Sequence, residues 1–96
     1  MMTYKLAFLP AALKEWEKLA PPIKAQFKKK LAERLENPHV PSSKLRGFDA
    51  VYKIKLRSVG YRLAYEVVDD ALVVYVLAIG KRDKGAVYKK LANRID

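Results

Sequence analysis

The run Tyr52-Lys53-Ile54-Lys55-Leu56-Arg57 alternates without a break, placing Tyr52, Ile54 and Leu56 on one side of an extended chain and Lys53, Lys55 and Arg57 on the other. A segment of period two cannot lie amphipathically on a helix, so it fixes a β-strand with an apolar face turned to a core and a row of cations turned away. A second β-prone run, Tyr61 to Val68, follows Val59-Gly60, which makes the pair an antiparallel hairpin. Keeping Ile54 and Leu56 on the core face restricts the register. The tight Val59-Gly60 connection sets Tyr52 opposite Val67, Lys53 opposite Glu66 as a cross-strand ion pair, Lys55 opposite Ala64, and Arg57 opposite Arg62. Two arginines face to face repel unless an anion sits between them, which points to phosphate.

The remaining pattern builds around that hairpin. Tyr4 to Leu9 reads as a first strand, and Pro10 opens a helix to about Leu19, with Ala12, Leu13, Trp16 and Leu19 at helical spacing and Leu13 and Trp16 assigned to the core. Pro21-Pro22 separates it from a second helix, Pro22 to Glu36, carried by Ile23, Phe27, Leu31 and Leu35 and closed by Asn37-Pro38. Strands Val51 to Ser58, Tyr61 to Val68 and Ala71 to Ile79 form a meander joined at Val59-Gly60 and Asp69-Asp70. The last of these is apolar on both faces, as a covered central strand is, and Gly80 is expected to release the chain sharply from the sheet. A final helix spans Lys84 to Ile95, with Val87, Leu91 and Ile95 buried and Tyr88 beside that stripe. The fold class is α+β: an antiparallel sheet of a three-strand meander plus an N-terminal strand, a helical hairpin and a C-terminal helix, order βααβββα. The 96 residues are expected to make one domain.

Twenty Lys and Arg against ten Asp and Glu give a net charge of +10, which favours nucleic acid, an anionic membrane surface or an acidic protein. There is no cysteine, no apolar run long enough to span a bilayer and no secretory signal pattern, so a cytoplasmic protein without membrane association is expected. A single histidine, His39, in the loop Pro38 to Pro41, supports neither a zinc site nor a Ser-His-acid triad. It is read as a loop residue without function. No metal or cofactor is called for.

Chain topology brings further cations to the hairpin: the strand ending at Ile79-Gly80 returns beside Tyr61 and Arg62, so Lys81 and Arg82 arrive at the end of the sheet that holds Arg57. Lys53, Lys55 and Arg57 extend over roughly 13 Å at about 3.3 Å per residue, a span suited to two or three nucleotides. Tyr88 is placed to stack on a base, its plainer reading being a core-boundary tyrosine. On the second helix Lys28, Lys29 and Lys30, with Lys24 and Arg34, form a stripe that is either a solvated face or a contact to an RNA backbone. Such a set can act without histidine. RNA carries its own nucleophile in the 2′-hydroxyl, so an enzyme need only remove that proton, stabilise the phosphorane and protonate the leaving 5′-oxygen. A lysine crowded by other cations is lowered toward service as a base, which favours Lys53 or Lys55, whereas arginine serves as an anion clamp.

Lys44-Leu45-Arg46-Gly47, Tyr52 through Ser58, Gly60-Tyr61-Arg62-Leu63 and Gly80-Lys81-Arg82 ahead of Val87-Tyr88 together resemble the RelE toxins of bacterial type II toxin–antitoxin modules, within the RelE/ParE superfamily. The resemblance extends over essentially the whole chain. It implies a ribosome-dependent mRNA interferase that cuts A-site mRNA, leaving a 2′,3′-cyclic phosphate and a 5′-hydroxyl. It implies Lys53 and Lys55 near the attacking hydroxyl, with Lys55 as base, Arg62 on the scissile phosphate, Arg82 at the leaving oxygen and Tyr88 on a codon base. It further implies RNA contacts from Arg46, Arg57 and Lys81, and 16S rRNA contacts from Lys28, Lys29 and Lys30. A RelB-like antitoxin is the implied partner, with operator DNA bound only through the antitoxin complex. The alternatives are a ParE-like gyrase inhibitor that shares the fold without nuclease activity, and an RNA-binding module without turnover.

Overall fold

The computed structural model describes residues 3–82 and 85–94. Its elements are strand β1 (Lys5–Phe8), helix α1 (Pro10–Glu17), helix α2 (Pro21–Glu36), a 3-10 turn at Pro41–Ser43, strands β2 (Val51–Leu56), β3 (Tyr61–Val68) and β4 (Val73–Lys81), and helix α3 (Ala86–Arg94). The order βααβββα is the one expected. Helices α1 and α2 open on proline, where the missing N–H has no intrahelical partner to lose; α2 takes in both Pro21 and Pro22. The last helix is described over Ala86–Arg94, and the ends assigned to Lys84 and Ile95 lie outside the described residues.

The sheet runs β1-β4-β3-β2, and β2-β3 and β3-β4 pair antiparallel. β1 departs from the antiparallel pattern, lying parallel to β4 with Lys5 opposite Val73 and Phe8 opposite Val76. β4 thus holds the central position its apolar faces required. A bulge lets Ala64 face Ala78 and Tyr65 face Val76, leaving Leu77 extra in β4. That additional residue reverses the alternation, so Val74, Val76 and Ile79 pack on one side and Leu77 and Ala78 on the other.

The α1–α2 side carries the larger core, with Phe27, Leu31, Tyr52, Ile54, Leu63 and Tyr65 buried. Trp16 packs at its border against Phe8, ring centroids 5.4 Å apart, whereas Leu13, assigned to the core, is 41% exposed. On the opposite side Val87 and Leu91 of α3 sit on Ala64, Leu77 and Ala78. Small residues let this helix approach closely. Gly80 belongs to that contact: it lies within β4, the strand continues to Lys81, and a Cβ there would meet Lys90 Nζ at 3.2 Å and Val87 Cγ2 at 3.4 Å. Its role is close approach, not the sharp exit expected of it.

The hairpin register differs by two residues from expectation. Tyr52 faces Tyr65, Lys53 faces Ala64, Ile54 faces Leu63 and Lys55 faces Arg62, while Val51 takes Glu66. The expected Lys53–Glu66 and Arg57–Arg62 pairs are therefore not formed. β2 ends at Leu56, and Arg57 to Gly60 make a four-residue turn closed by the Gly60 N–H on the Leu56 carbonyl at 2.9 Å. Gly60 sits at φ 68°, a left-handed conformation that glycine adopts without strain, whereas a two-residue connection would have forced the β-branched Val59 to positive φ. A slide by two leaves every side chain on its assigned face, so the apolar core is unaffected and only the cross-strand partners change.

Candidate active site on the basic face of the hairpin

Lys55, Leu56, Arg57, Tyr61, Arg62 and Arg82 line a cleft of about 160 Å³ at the hairpin end of the sheet. Each element delivers its cation for a local reason. Alternation turns Lys55 of β2 and Arg62 of β3 to the same face, and pairing sets them opposite one another. The turn carries Arg57, and the Arg82 N–H bonds the Gly60 carbonyl at 2.7 Å, tying the end of β4 to the turn. Topology thus gathers the cations as the sequence indicated, with Lys55 in the place foreseen for Arg57. Tyr88 reaches the site from α3: the Arg62 guanidinium carbon lies 5.9 Å from its ring centroid, within cation–π range. Arg62 Nε is buried without a hydrogen-bond partner among the described residues, an unusual state for a charged donor.

Like charges set the electrostatics. The Lys53 charge first, then Arg62, slight desolvation and Arg57 lower the Lys55 ammonium below an ordinary lysine. Among the described residues, no carboxylate lies within ion-pair distance of Lys53, Lys55, Arg57, Arg62 or Arg82. The site can bind a polyanion and hold a lysine that releases its proton more readily than usual. No group of three or more His, Cys, Asp or Glu side chains placed to hold a metal occurs among the described residues.

Lys53 faces a second recess of about 350 Å³, lined by Arg34, Ser42, Ser43, Lys53, Lys55 and Arg57. Arg34, counted from sequence in the stripe of helix cations, is half-buried here. It donates to the Tyr65 hydroxyl at 2.8 Å, the Lys53 carbonyl at 3.2 Å and Ser43 Oγ at 3.3 Å. Its spacing after Phe27 and Leu31, on the buried side of α2, was the available signal. Ser42 and Ser43 offered none, being ordinary loop residues until the 3-10 turn sets them beside β2. Arg46 lies apart, lining a shallow hollow with Lys44, Leu45, Gly47 and Phe48, and Lys28, Lys29 and Lys30 are exposed on α2 away from the cleft. Lys81 is exposed at the end of β4.

His39 lies in the loop after α2, as expected, and is tied into a hydrogen-bonded cluster there. One ring nitrogen lies 2.8 Å from Asp69 Oδ1 and the other 3.0 Å from the Tyr52 hydroxyl, while Tyr4 donates to the same Asp69 oxygen at 2.6 Å. Bonds from Tyr4 and His39 hold the Asp69 carboxyl below the usual carboxylate range. The cluster joins the loop after α2 to the β3–β4 turn, at the opposite end of β3 from the cleft.

Residues 6–85 match the family described as ParE toxin of type II toxin–antitoxin system, parDE. The mRNA interferase toxin RelE of Escherichia coli (strain K12) is 51% identical over 94 residues, covering 98% of this chain and 99% of that protein. The fold agrees with a free E. coli RelE double mutant at a TM-score of 0.91 and 49% identity, covering 99% of this chain and 100% of that one. It agrees also with RelE in the intact E. coli RelBE toxin–antitoxin complex, at a TM-score of 0.81 and 52% identity over 84% of this chain and 99% of the other. Family match, near-complete coverage and shared architecture lead to one conclusion: this chain belongs to the RelE group of the ParE-type toxins of type II toxin–antitoxin systems.

Proposed function

We infer that the protein is the toxin enzyme of its module, an endoribonuclease that cuts mRNA in the ribosomal A site and is neutralised by a RelB-like antitoxin. The observation that carries this reading is the cleft where Lys55, with its proton affinity lowered by neighbouring cations, faces Arg62 beside Arg57 and Arg82. The likeness to an mRNA interferase and to a toxin solved with its antitoxin supports the substrate and the partner.

In the proposed reaction, neutral Lys55 takes the proton of the ribose 2′-hydroxyl as O2′ bonds to phosphorus. Arg62, held beside Tyr88, receives the negative charge that grows on the non-bridging oxygens. The P–O5′ bond breaks, giving a 2′,3′-cyclic phosphate, and the leaving oxygen acquires a proton as a 5′-hydroxyl. Arg82 stabilises that oxygen; a guanidinium parts with protons too reluctantly to be a favoured acid itself, so water or protonated lysine is the better donor. Lys53 lies beside Lys55, lowering it and drawing in the phosphate. Tyr88 stacks on a codon base. Lysine and arginine meet each requirement for charge and proton transfer, so no metal is needed. Arg46, Lys81, Lys28, Lys29 and Lys30 provide contacts with mRNA and 16S rRNA, operator DNA is engaged through the antitoxin complex, and the protein works in the cytoplasm.

The test is translation of a defined mRNA in a purified system with the protein present, followed by mapping of 5′ ends. Cuts in codon register should fall by about 10²- to 10⁴-fold with Lys55→Ala and also fall with Arg62→Ala and Arg82→Ala. Cleavage of free RNA as fast as ribosome-bound RNA refutes ribosome dependence, and full activity in all three variants refutes the site. Intact mRNA with gyrase-dependent DNA breaks would establish the ParE-like activity instead.

A further inference from the structure

The recess beside the outer edge of β2 is built for an anion that the cleft alone does not use. Arg34 sits there half-buried, and its hydrogen-bond partners, the Tyr65 hydroxyl, the Lys53 carbonyl and Ser43 Oγ, are all neutral. No carboxylate among the described residues lies within ion-pair distance of it. Its guanidinium carbon lies 5.7 Å from the Tyr65 ring centroid, so the group is fixed in place before any ligand arrives. Three of its five N–H donors are engaged by those bonds, leaving two for a ligand.

The strand edge adds to this. The Val51 carbonyl accepts from the Leu45 N–H at 2.9 Å and the Lys53 carbonyl accepts from Arg34, so odd-numbered residues of β2 turn their backbone groups outward. By the same alternation the Lys55 N–H faces outward at a sheet edge with no strand against it. Guanidinium, ammonium and hydroxyl side chains line one hollow, with no acid among its described lining residues. A phosphodiester with its ribose matches that chemistry.

Lys55 and Arg57 line both the cleft and this recess, so an RNA strand seated in one continues into the other along a shared basic wall. We propose that the recess formed by Arg34, Ser42, Ser43, Lys53, Lys55 and Arg57 is a second RNA subsite, which grips the phosphate next to the one that is cut. This rests on the endoribonuclease reading. A ribosomal RNA phosphate offers the same chemistry, but the common wall assigns the recess to the cut strand.

The experiment compares wild-type protein and Arg34→Gln on programmed ribosomes carrying mRNAs with an uncharged methylphosphonate on either side of the cleavage site. One of the two flanking replacements should lower wild-type kcat/KM by about tenfold or more, and Arg34→Gln should lose a similar factor on unmodified mRNA. Together the two changes should cost little more than either alone, since both remove one contact. Losses that multiply, or a wild type indifferent to both replacements, overturn the subsite while leaving the nuclease intact. An Arg34→Gln defect of equal size on every message, matched by weaker binding to unprogrammed ribosomes, identifies a ribosomal RNA contact and also overturns it. A wild type that cuts nothing overturns the nuclease reading itself. Should Arg34→Gln fail to fold, the Ser42→Ala/Ser43→Ala double variant takes its place, with the same insensitivity to the methylphosphonate expected.

Discussion

Replacing Glu15 by alanine should release α3 from the sheet and so degrade the proposed active site without touching it. The Glu15 carboxylate joins three elements: it accepts the Ile79 N–H at 3.0 Å, two guanidinium N–H groups of Arg94 at 3.0 Å each, and Lys90 Nζ at 2.7 Å. Glu15 and Arg94 side chains are each 19% exposed, so this set is stronger than a surface pair worth at most about 1 kcal/mol and weaker than a fully buried one worth about 3–5. A loss of about 3 kcal/mol follows. The opposing quantity is the apolar docking of α3 through buried Val87 and Leu91, about 1.5–3 kcal/mol each and so about 3–6 in all. The mutation therefore removes a large part of what holds the helix, and opening of α3 should become about 100-fold more frequent, at about 1.4 kcal/mol per decade. Amide hydrogen exchange measures this directly: α3 should exchange about 100-fold faster while the centre of β3 and β4 stays protected. mRNA cleavage should fall with it, because Tyr88 leaves Arg62 whenever α3 opens. Burial raises the Glu15 carboxyl, but bonds from Arg94, Lys90 and the Ile79 N–H outweigh it and leave the group below its ordinary range. A depressed carboxylate contributes stability above its unfolded pKa and loses it as pH falls through the folded value, so α3 should loosen in acid, a dependence that Glu15→Gln abolishes. Unchanged α3 exchange in Glu15→Ala, or an equal rise throughout the sheet, refutes the latch.

Lys53→Met removes the largest influence lowering Lys55, so the rising limb of the rate–pH profile should move to higher pH and the rate at neutral pH should fall; an unmoved limb would show that Lys55 is not the base. Tyr65→Phe deletes a fully buried hydroxyl that donates to the Pro38 carbonyl and accepts from Arg34, both at 2.8 Å. It should cost about 2 kcal/mol, read as a fall in Tm of roughly 8–16 °C. Gly60→Ala should cost about 1–2 kcal/mol through backbone strain alone, since its Cβ would meet nothing within 4 Å; Gly60→Asn, which tolerates the left-handed conformation, should recover much of this in the same melts.

What could be read from the sequence follows the range of the forces involved. The period of two in Tyr52 to Arg57 and the four-residue spacing of Ile23, Phe27, Leu31 and Leu35 are local patterns, and they set faces and elements correctly. The parallel placement of β1 against β4 and the seating of Arg34 beside Lys53 depend on how distant segments meet, and neither has a local signature. The hairpin register lies between these cases. It turns on whether Gly60 closes a turn of two residues or of four, and both choices keep the core residues inward because they differ by a whole period. The apolar pattern is blind to that difference, but the chemistry is not. In the four-residue form the lysine at the end of the row, in place of Arg57, stands opposite Arg62. Two arginines there could only clamp an anion, since neither gives up a proton. A lysine there serves both needs of the proposed reaction: the Lys55–Arg62 pair attracts phosphate, and repulsion from Lys53 first and Arg62 next lowers the ammonium below an ordinary lysine. On the proposed reaction the turn is therefore part of the catalytic arrangement, and lengthening or shortening it by two residues should be more harmful to cleavage than to folding.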